Sequence, residues 1–265
     1  MGLFGNGYNR PGPGVSKDQP DKKGIMRFFE VFGRDAGELI KANFMFLICG
    51  LPTLAAVALY FMMPSIIFIL LIAVTCVLTG PALCAMNYVI IKMARNQPGY
   101  IGHDFKKSFK ENFKQGAIAG LILGTGWCML IFSGYIYLTN MFAGKFSLFL
   151  VFYLFAAFLL GGITCFVPAQ IATVELGLGD IFKNSILLTF GFLPRSLPAI
   201  LVSGALVAVQ AMYFPISVIV IPFFGFSLPC LIAILIVWPV MKKVFVEQSH
   251  LDAFKEDDDE NNTKE

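Results

Sequence analysis

The chain has 265 residues, of which 57% are apolar and only 14% charged, with 28 Phe, a net charge of +3 and a mean hydropathy of +0.74. A soluble domain carries about 25% charged residues, so the composition excludes that class and describes a polytopic membrane protein. Six cysteines without C-x-x-C spacing, all within apolar stretches, fit buried thiols rather than a disulfide framework or a metal site.

Four stretches contain no Asp, Glu, Lys or Arg: 42–91, 115–144, 146–174 and 196–241. A membrane-spanning helix needs about 20 residues, so the two longest stretches hold two spans each and the others one each. The expected fold class is an all-α membrane protein with six transmembrane helices, at about 44–63, 66–91, 116–138, 147–174, 196–217 and 224–246, within a single domain at 25–250.

Residues 1–24 are rich in Gly and Pro and read as a flexible cytoplasmic tail. Asn6 stands where a myristoylation signal needs Ser or Thr, so neither a lipid anchor nor a cleaved signal is expected. Residues 25–43 pattern as an interfacial helix weakened by Gly33 and Gly37. Span 1 carries Pro52 as a kink, 63–65 is a short outer turn, and span 2 carries Thr79-Gly80-Pro81 as a kink or unwound turn. An inner loop follows, with a turn at Gln97-Pro98-Gly99.

Residues 103–116 form the most patterned stretch. Phe105, Phe109 and Phe113 recur on one helical face, and Lys106, Lys107, Lys110 and Lys114 cover the flanks and back. This predicts an interfacial helix with its aromatic side in the acyl boundary and its lysines at anionic headgroups, a cytoplasmic docking or lipid-binding face. Gly116, Gly120 and Gly124 then leave a bare strip for close helix packing.

Residues 139–145 make an outer loop and span 4 returns with Pro168 near its inner end. Residues 180–194 are a third amphipathic candidate. Pro215, Pro222, Gly225 and Pro229 make the outer connection between spans 5 and 6 either a turn or a broken, re-entrant segment. The end, 251–265, is an acidic disordered tail. The layout predicts three repeats of an amphipathic helix followed by a helical hairpin. With 103–116 in the cytoplasm, 19 of the 20 Lys and Arg lie inside and only Lys145 outside, so both termini are expected to be cytoplasmic.

Candidate chemistry is sparse. Gly177-Leu178-Gly179-Asp180 and Pro81-Ala82-Leu83 mimic intramembrane aspartyl protease motifs, but no span contains an aspartate to pair. The expectation there is a helix exit at Gly177 and a capping Asp180. Gln210, Gln170, Asn87 and, at the inner boundary, Glu175 are the intramembrane polar candidates, either lining a substrate path or bonding between helices. Gln210 leads because it falls mid-span. His103 has no second ligand nearby, so no metal and no general base are expected, and no cofactor motif or nucleic-acid patch occurs. Residues 172–201 loosely match the loop by which importer permeases dock an ATPase, which requires a protruding helix at 180–194.

Residues 43–53 (NFMFLICGLPT), Gly80-Pro81-Ala82, 88–92 (YVIIK), Gly99-Tyr100 and 105–115 (FKKSFKENFKQ) resemble the YesL-like family of bacterial integral membrane proteins. The resemblance runs over about 5–250 and is most specific at 43–116. It implies a bacterial inner-membrane protein of unassigned activity, often encoded beside carbohydrate ABC importers and sensor kinases, and it supplies no catalytic residues. The expectation it gives is a non-enzymatic accessory component of carbohydrate ABC import, with importer subunits as partners. The alternatives are a scaffold or signalling partner of a sensor kinase, and an independent small-solute transporter. Oligomeric state is left open.

Overall fold

The computed structural model describes residues 24–97, 99–141, 149–213 and 216–246. The tail expected before residue 24, the outer loop at Lys145 and the acidic tail at 251–265 lie outside the described residues. The chain is an all-α membrane protein: among the described residues there is no strand, and six helices are long and apolar enough to cross a membrane. In order they are α1 (Ile25–Met62), α2 (Ile66–Ala94), α3 (Ile101–Glu111), α4 (Phe113–Met141), α5 (Phe149–Thr173), α6 (Leu178–Gly191) and α7 (Leu193–Met212). A 3-10 turn (Ile216–Ile219), a short α8 (Ile221–Phe224), α9 (Ser227–Met241) and a π-turn (Lys242–Val246) follow within the described residues.

The amphipathic stretch and the first span are one helix. α1 runs unbroken through 41–44, and its one interior departure from helical dihedrals is Asp35 (φ −111°, ψ 16°), between Gly33 and Gly37 where helix propensity is lowest. Pro52 and the Gly80-Pro81 step are both absorbed within continuous helix, so the unwound turn, one of the two forms expected in α2, is not formed. The reason at Gly80 is packing. A Cβ there would run into Gly116 O and lie 2.6 Å from Gly120 Cα, and one on Gly116 would lie 2.8 Å from Pro81 Cα. The glycine strip of α4 is thus seated against α2 backbone to backbone, with Gly124 against Cys76, and dispersion contacts hold the segment helical.

The connection after α7 takes the broken form of the two expected there, with a 3-10 turn and the short α8 before α9. It folds against α1, where Asn43 bonds to four backbone groups of 221–227 and the Phe32 and Phe224 rings meet at 5.3 Å. Asn43 sits two residues from Lys41 and 19 before the end of α1, roughly 29 Å from Met62 at 1.5 Å per residue. Asn43 is the midpoint of α1, so the connection lies away from the 63–65 turn and packs along the half of α1 that leads to its charged N-terminal end.

The main core cluster gathers at that same end. Val31, Leu39, Met86, Ile90, Phe166, Leu231 and Ile234 are fully enclosed, whereas Ile48, Phe61, Ile67, Met129 and Phe152 on the other halves of their helices are more than 60% exposed. Such surface is stable only against lipid. α6 is not a protruding helix. Ile181, Ser185, Leu188 and Thr189 are buried, and Ser196 Oγ donates to Thr189 O at 2.6 Å across the α6–α7 joint. Its N-cap is Gly177, so Asp180 falls in the first turn rather than at the cap, where its charge still faces the helix N-terminus.

Candidate functional site

Two turns of α1, the end of α2, the following loop and the start of α3 enclose a cleft of about 360 Å³. Its polar lining is Arg34, Asp35 and Glu38 from α1, Lys92 from α2, Asn96 and Gln97 from the loop and Asp104 from α3. Its apolar floor is Val89, Met93 and Ile101.

Local structure explains why these charges converge. α2 ends at Ala94, its last turn closed by Asn96 N–H on Met93 O and Gln97 N–H on Lys92 O, and Asn96 reverses the chain in the left-handed region (φ 54°). Arg27 Nη2 donates to Ala94 O at 2.7 Å and Arg34 Nη2 to Met93 O at 2.8 Å, placing two guanidiniums at the negative end of the helix. Arg34 is also held by both oxygens of Asp35 (3.0 and 2.6 Å) and donates to Asn96 Oδ1. Across the cleft Lys92 Nζ donates to Asp104 Oδ2 at 2.6 Å and lies 5.7 Å from the Tyr88 ring centroid. Gly99 closes over this pair. A Cβ at 99 would collide with Asp104 Oδ2 and sit 3.0 Å from Lys92 Nζ. Both cations are thus matched by carboxylates inside the cleft, and its chemistry is that of hydrogen bonding and fixed charge. His103 is exposed, with Nδ1 at 3.7 Å from Asp104 Oδ1.

The intramembrane candidates are spread through the bundle and do not converge. Gln210 is not mid-span: it lies in the last turn of α7, donating to Gly225 O at 3.0 Å and Leu206 O at 3.3 Å. Gln170 is fully buried in α5 and donates to Ser185 Oγ of α6 at 2.8 Å, while its Oε1 has no partner. Asn87 bonds within its own helix, to Leu83 O at 2.8 Å. Glu175 is exposed in the α5–α6 loop. A separate apolar cleft of about 140 Å³ lies between α2, α4 and α5, with Thr79 and Thr164 among its lining residues.

The patterned stretch 103–116 is two helices. Asn112 stands between them (φ −96°, ψ 12°), its Nδ2 donating to Ser108 O at 3.1 Å, so Phe113 and Lys114 open α4. Phe105 is 2% exposed and packs into the protein core with Ile101, so it does not reach the acyl boundary. Phe109 is half-buried and Phe113 exposed, their rings 5.6 Å apart. Lys106, Lys107, Lys110 and Lys114 are exposed.

Sequence reading missed Asn43, Arg34, Lys92 and Asp104. The available signal for the last two was a cation and a carboxylate on either side of the Gln97-Pro98-Gly99 turn. For Asn43 there was none, because its partners lie 178–184 positions away.

Residues 39–133 match the family model described as "Protein of unknown function, DUF624". The matched segment covers the second half of α1, α2, α3 and most of α4. It therefore includes the Gly80–Gly120 crossing and the α2 and α3 walls of the cleft. No curated relative and no solved structure matches the chain.

Proposed function

We propose that this chain is a membrane-embedded adaptor without enzymatic activity of its own, with its charged end and both termini in the cytoplasm. The observation that supports it is the distribution of polar groups. Inside the bundle the amides of Asn43, Gln170 and Gln210 are engaged in bonds that hold helices and turns together, and that of Asn87 bonds within its own helix. A polar surface suited to recognition surrounds the α1–α2–α3 cleft, where the Lys92–Asp104 pair joins α3 to α2. A conduit needs polar groups converging at bilayer depth, and the cleft between α2, α4 and α5 is small and mainly apolar.

For the partner we follow the YesL-like resemblance of 43–116: subunits of a carbohydrate ABC importer in a bacterial cell membrane, with a sensor kinase as the second candidate. The packed α6 argues that the chain accompanies an importer rather than serving as its ATPase-docking permease. The test is affinity purification of the full chain from its native membrane, solubilised in mild detergent, followed by mass spectrometry. Importer subunits in near-stoichiometric amount, lost in Glu38→Arg or Gln97→Arg at the cleft, are the expected result. A kinase in their place selects the second candidate. Recovery of the chain alone from crosslinked membranes overturns the adaptor reading.

A further inference from the structure

We propose that the α3–α4 elbow is a binding site for the headgroup of an anionic phospholipid, with Lys110 and Lys114 on either side of the bound phosphate and Lys106 and Lys107 extending the positive surface. α4 supplies the first part of the site. Lys114, Ile118, Ile122 and Met129 follow helical spacing, and Ile118, Ile122 and Met129 are 51%, 48% and 68% exposed. They form a lipid-facing stripe, and Lys114, also exposed, stands one turn before its first apolar member. A four-carbon stem running along such a stripe places the ammonium where acyl chains give way to phosphates.

α3 sets the remaining charges at the same depth. One residue, Asn112, separates α3 from α4, and the opposite face of α3 (Ile101, Phe105, Ser108) is buried in the protein. Lys106, Lys107 and Lys110 therefore point away from the protein from a helix that is fixed in place. Lys106, Lys110 and Lys114 have no ion-pair partner among the described residues, and Lys107 has only Glu111 at 3.9 Å. Phe113, 39% exposed between Lys110 and Lys114, supplies the apolar neighbour that an acyl glycerol backbone requires. Unpaired cations at the head of a lipid-facing stripe match a phosphodiester that carries two acyl chains, and this geometry favours the membrane over an acidic protein as occupant.

The test uses the full chain in nanodiscs of an equimolar mixture of phosphatidylcholine and phosphatidylglycerol, with bound lipids counted by native mass spectrometry. The wild type retains phosphatidylglycerol preferentially, and added salt erodes the preference. Lys110→Gln with Lys114→Gln lowers it by roughly five-fold for each lysine removed. Lys110→Arg with Lys114→Arg preserves it, which separates loss of charge from loss of fold. Lys41→Gln, elsewhere at the charged end, leaves it unchanged. The proposal is overturned if the double Gln variant keeps the full preference, if Lys41→Gln lowers it equally, or if the double Gln variant loses a co-purifying protein while its lipid preference stands. The adaptor reading predicts partner loss at the cleft variants, so the two can fail separately.

Discussion

Asn43 Oδ1 accepts the Ser227 N–H at 3.0 Å, joining the first helix to the last across 184 positions of the chain. The same oxygen takes the Phe226 N–H at 2.9 Å, and Nδ2 donates to Ile221 O and Pro222 O, both at 2.8 Å. The interruption between α8 and α9 leaves backbone groups without helical partners within an apolar bundle, and one fully buried amide takes up Pro222 O and the Phe226 and Ser227 N–H groups, while Ile221 O also accepts from Gly225 N–H.

Asn43→Ala should therefore lower the stability of the detergent-solubilised protein by about 2–4 kcal/mol, because the Phe226 and Ser227 N–H groups and Pro222 O lose their partner together. Asn43→Asp should be worse at neutral pH, since it sets carboxylate oxygen against two carbonyls. Thermal unfolding followed by intrinsic fluorescence checks both. A shift of less than a degree for Asn43→Ala would show that the 216–226 segment is held by its other contacts.

At the α2–α4 crossing, Gly80→Ala and Gly120→Ala should each cost about 1–3 kcal/mol, since the added Cβ meets backbone rather than a side chain that can turn aside. Gly102→Ala in α3 meets nothing within 4 Å and should be neutral or slightly stabilising. Comparing the thermal midpoints of the three variants separates packing from helix propensity.

The Lys92–Asp104 pair is 2.6 Å long, with the two side chains 20% and 13% exposed. A double-mutant cycle with Lys92→Met and Asp104→Asn should return a coupling of about 1 kcal/mol that shrinks as salt is raised. Additive effects would mean that α3 is held by Ile101 and Phe105 alone.

Gln170 and Ser185 make an asymmetric pair. Gln170→Leu removes both the bonded Nε2 and the unpartnered Oε1, and should cost less than about 1 kcal/mol. Ser185→Ala leaves Nε2 buried without an acceptor and should cost about 1–3 kcal/mol. Equal effects in urea or SDS unfolding would argue against a purely structural role for Gln170.

Much of the bundle was legible in the residues, because charge is scarce and bilayer thickness is fixed: 42–91 had to fold as a hairpin, and the spacing of Gly116, Gly120 and Gly124 had to leave a bare face. Periodicity also found the lysine face of 103–116. It misassigned Phe105 because apolar spacing states that a face avoids water and does not say whether protein or lipid covers it. It ran the helix through Asn112 because a one-residue joint leaves the 3.6-residue pattern almost in phase.

The sequence alone determined that this is a helical membrane protein with its basic residues beside its spans, since both follow from local hydropathy and from counting. Only the tertiary structure decided that Asn43 holds the α8–α9 break, that Arg34 and Lys92 face one cleft, and that the connection after α7 packs along α1 at Phe32 and Asn43. Each of these depends on hydrogen-bond partners distant in the chain. Hydropathy carries no record of which buried amide will meet which unpaired carbonyl, because the identity of the partner affects the energy only once the helices are packed.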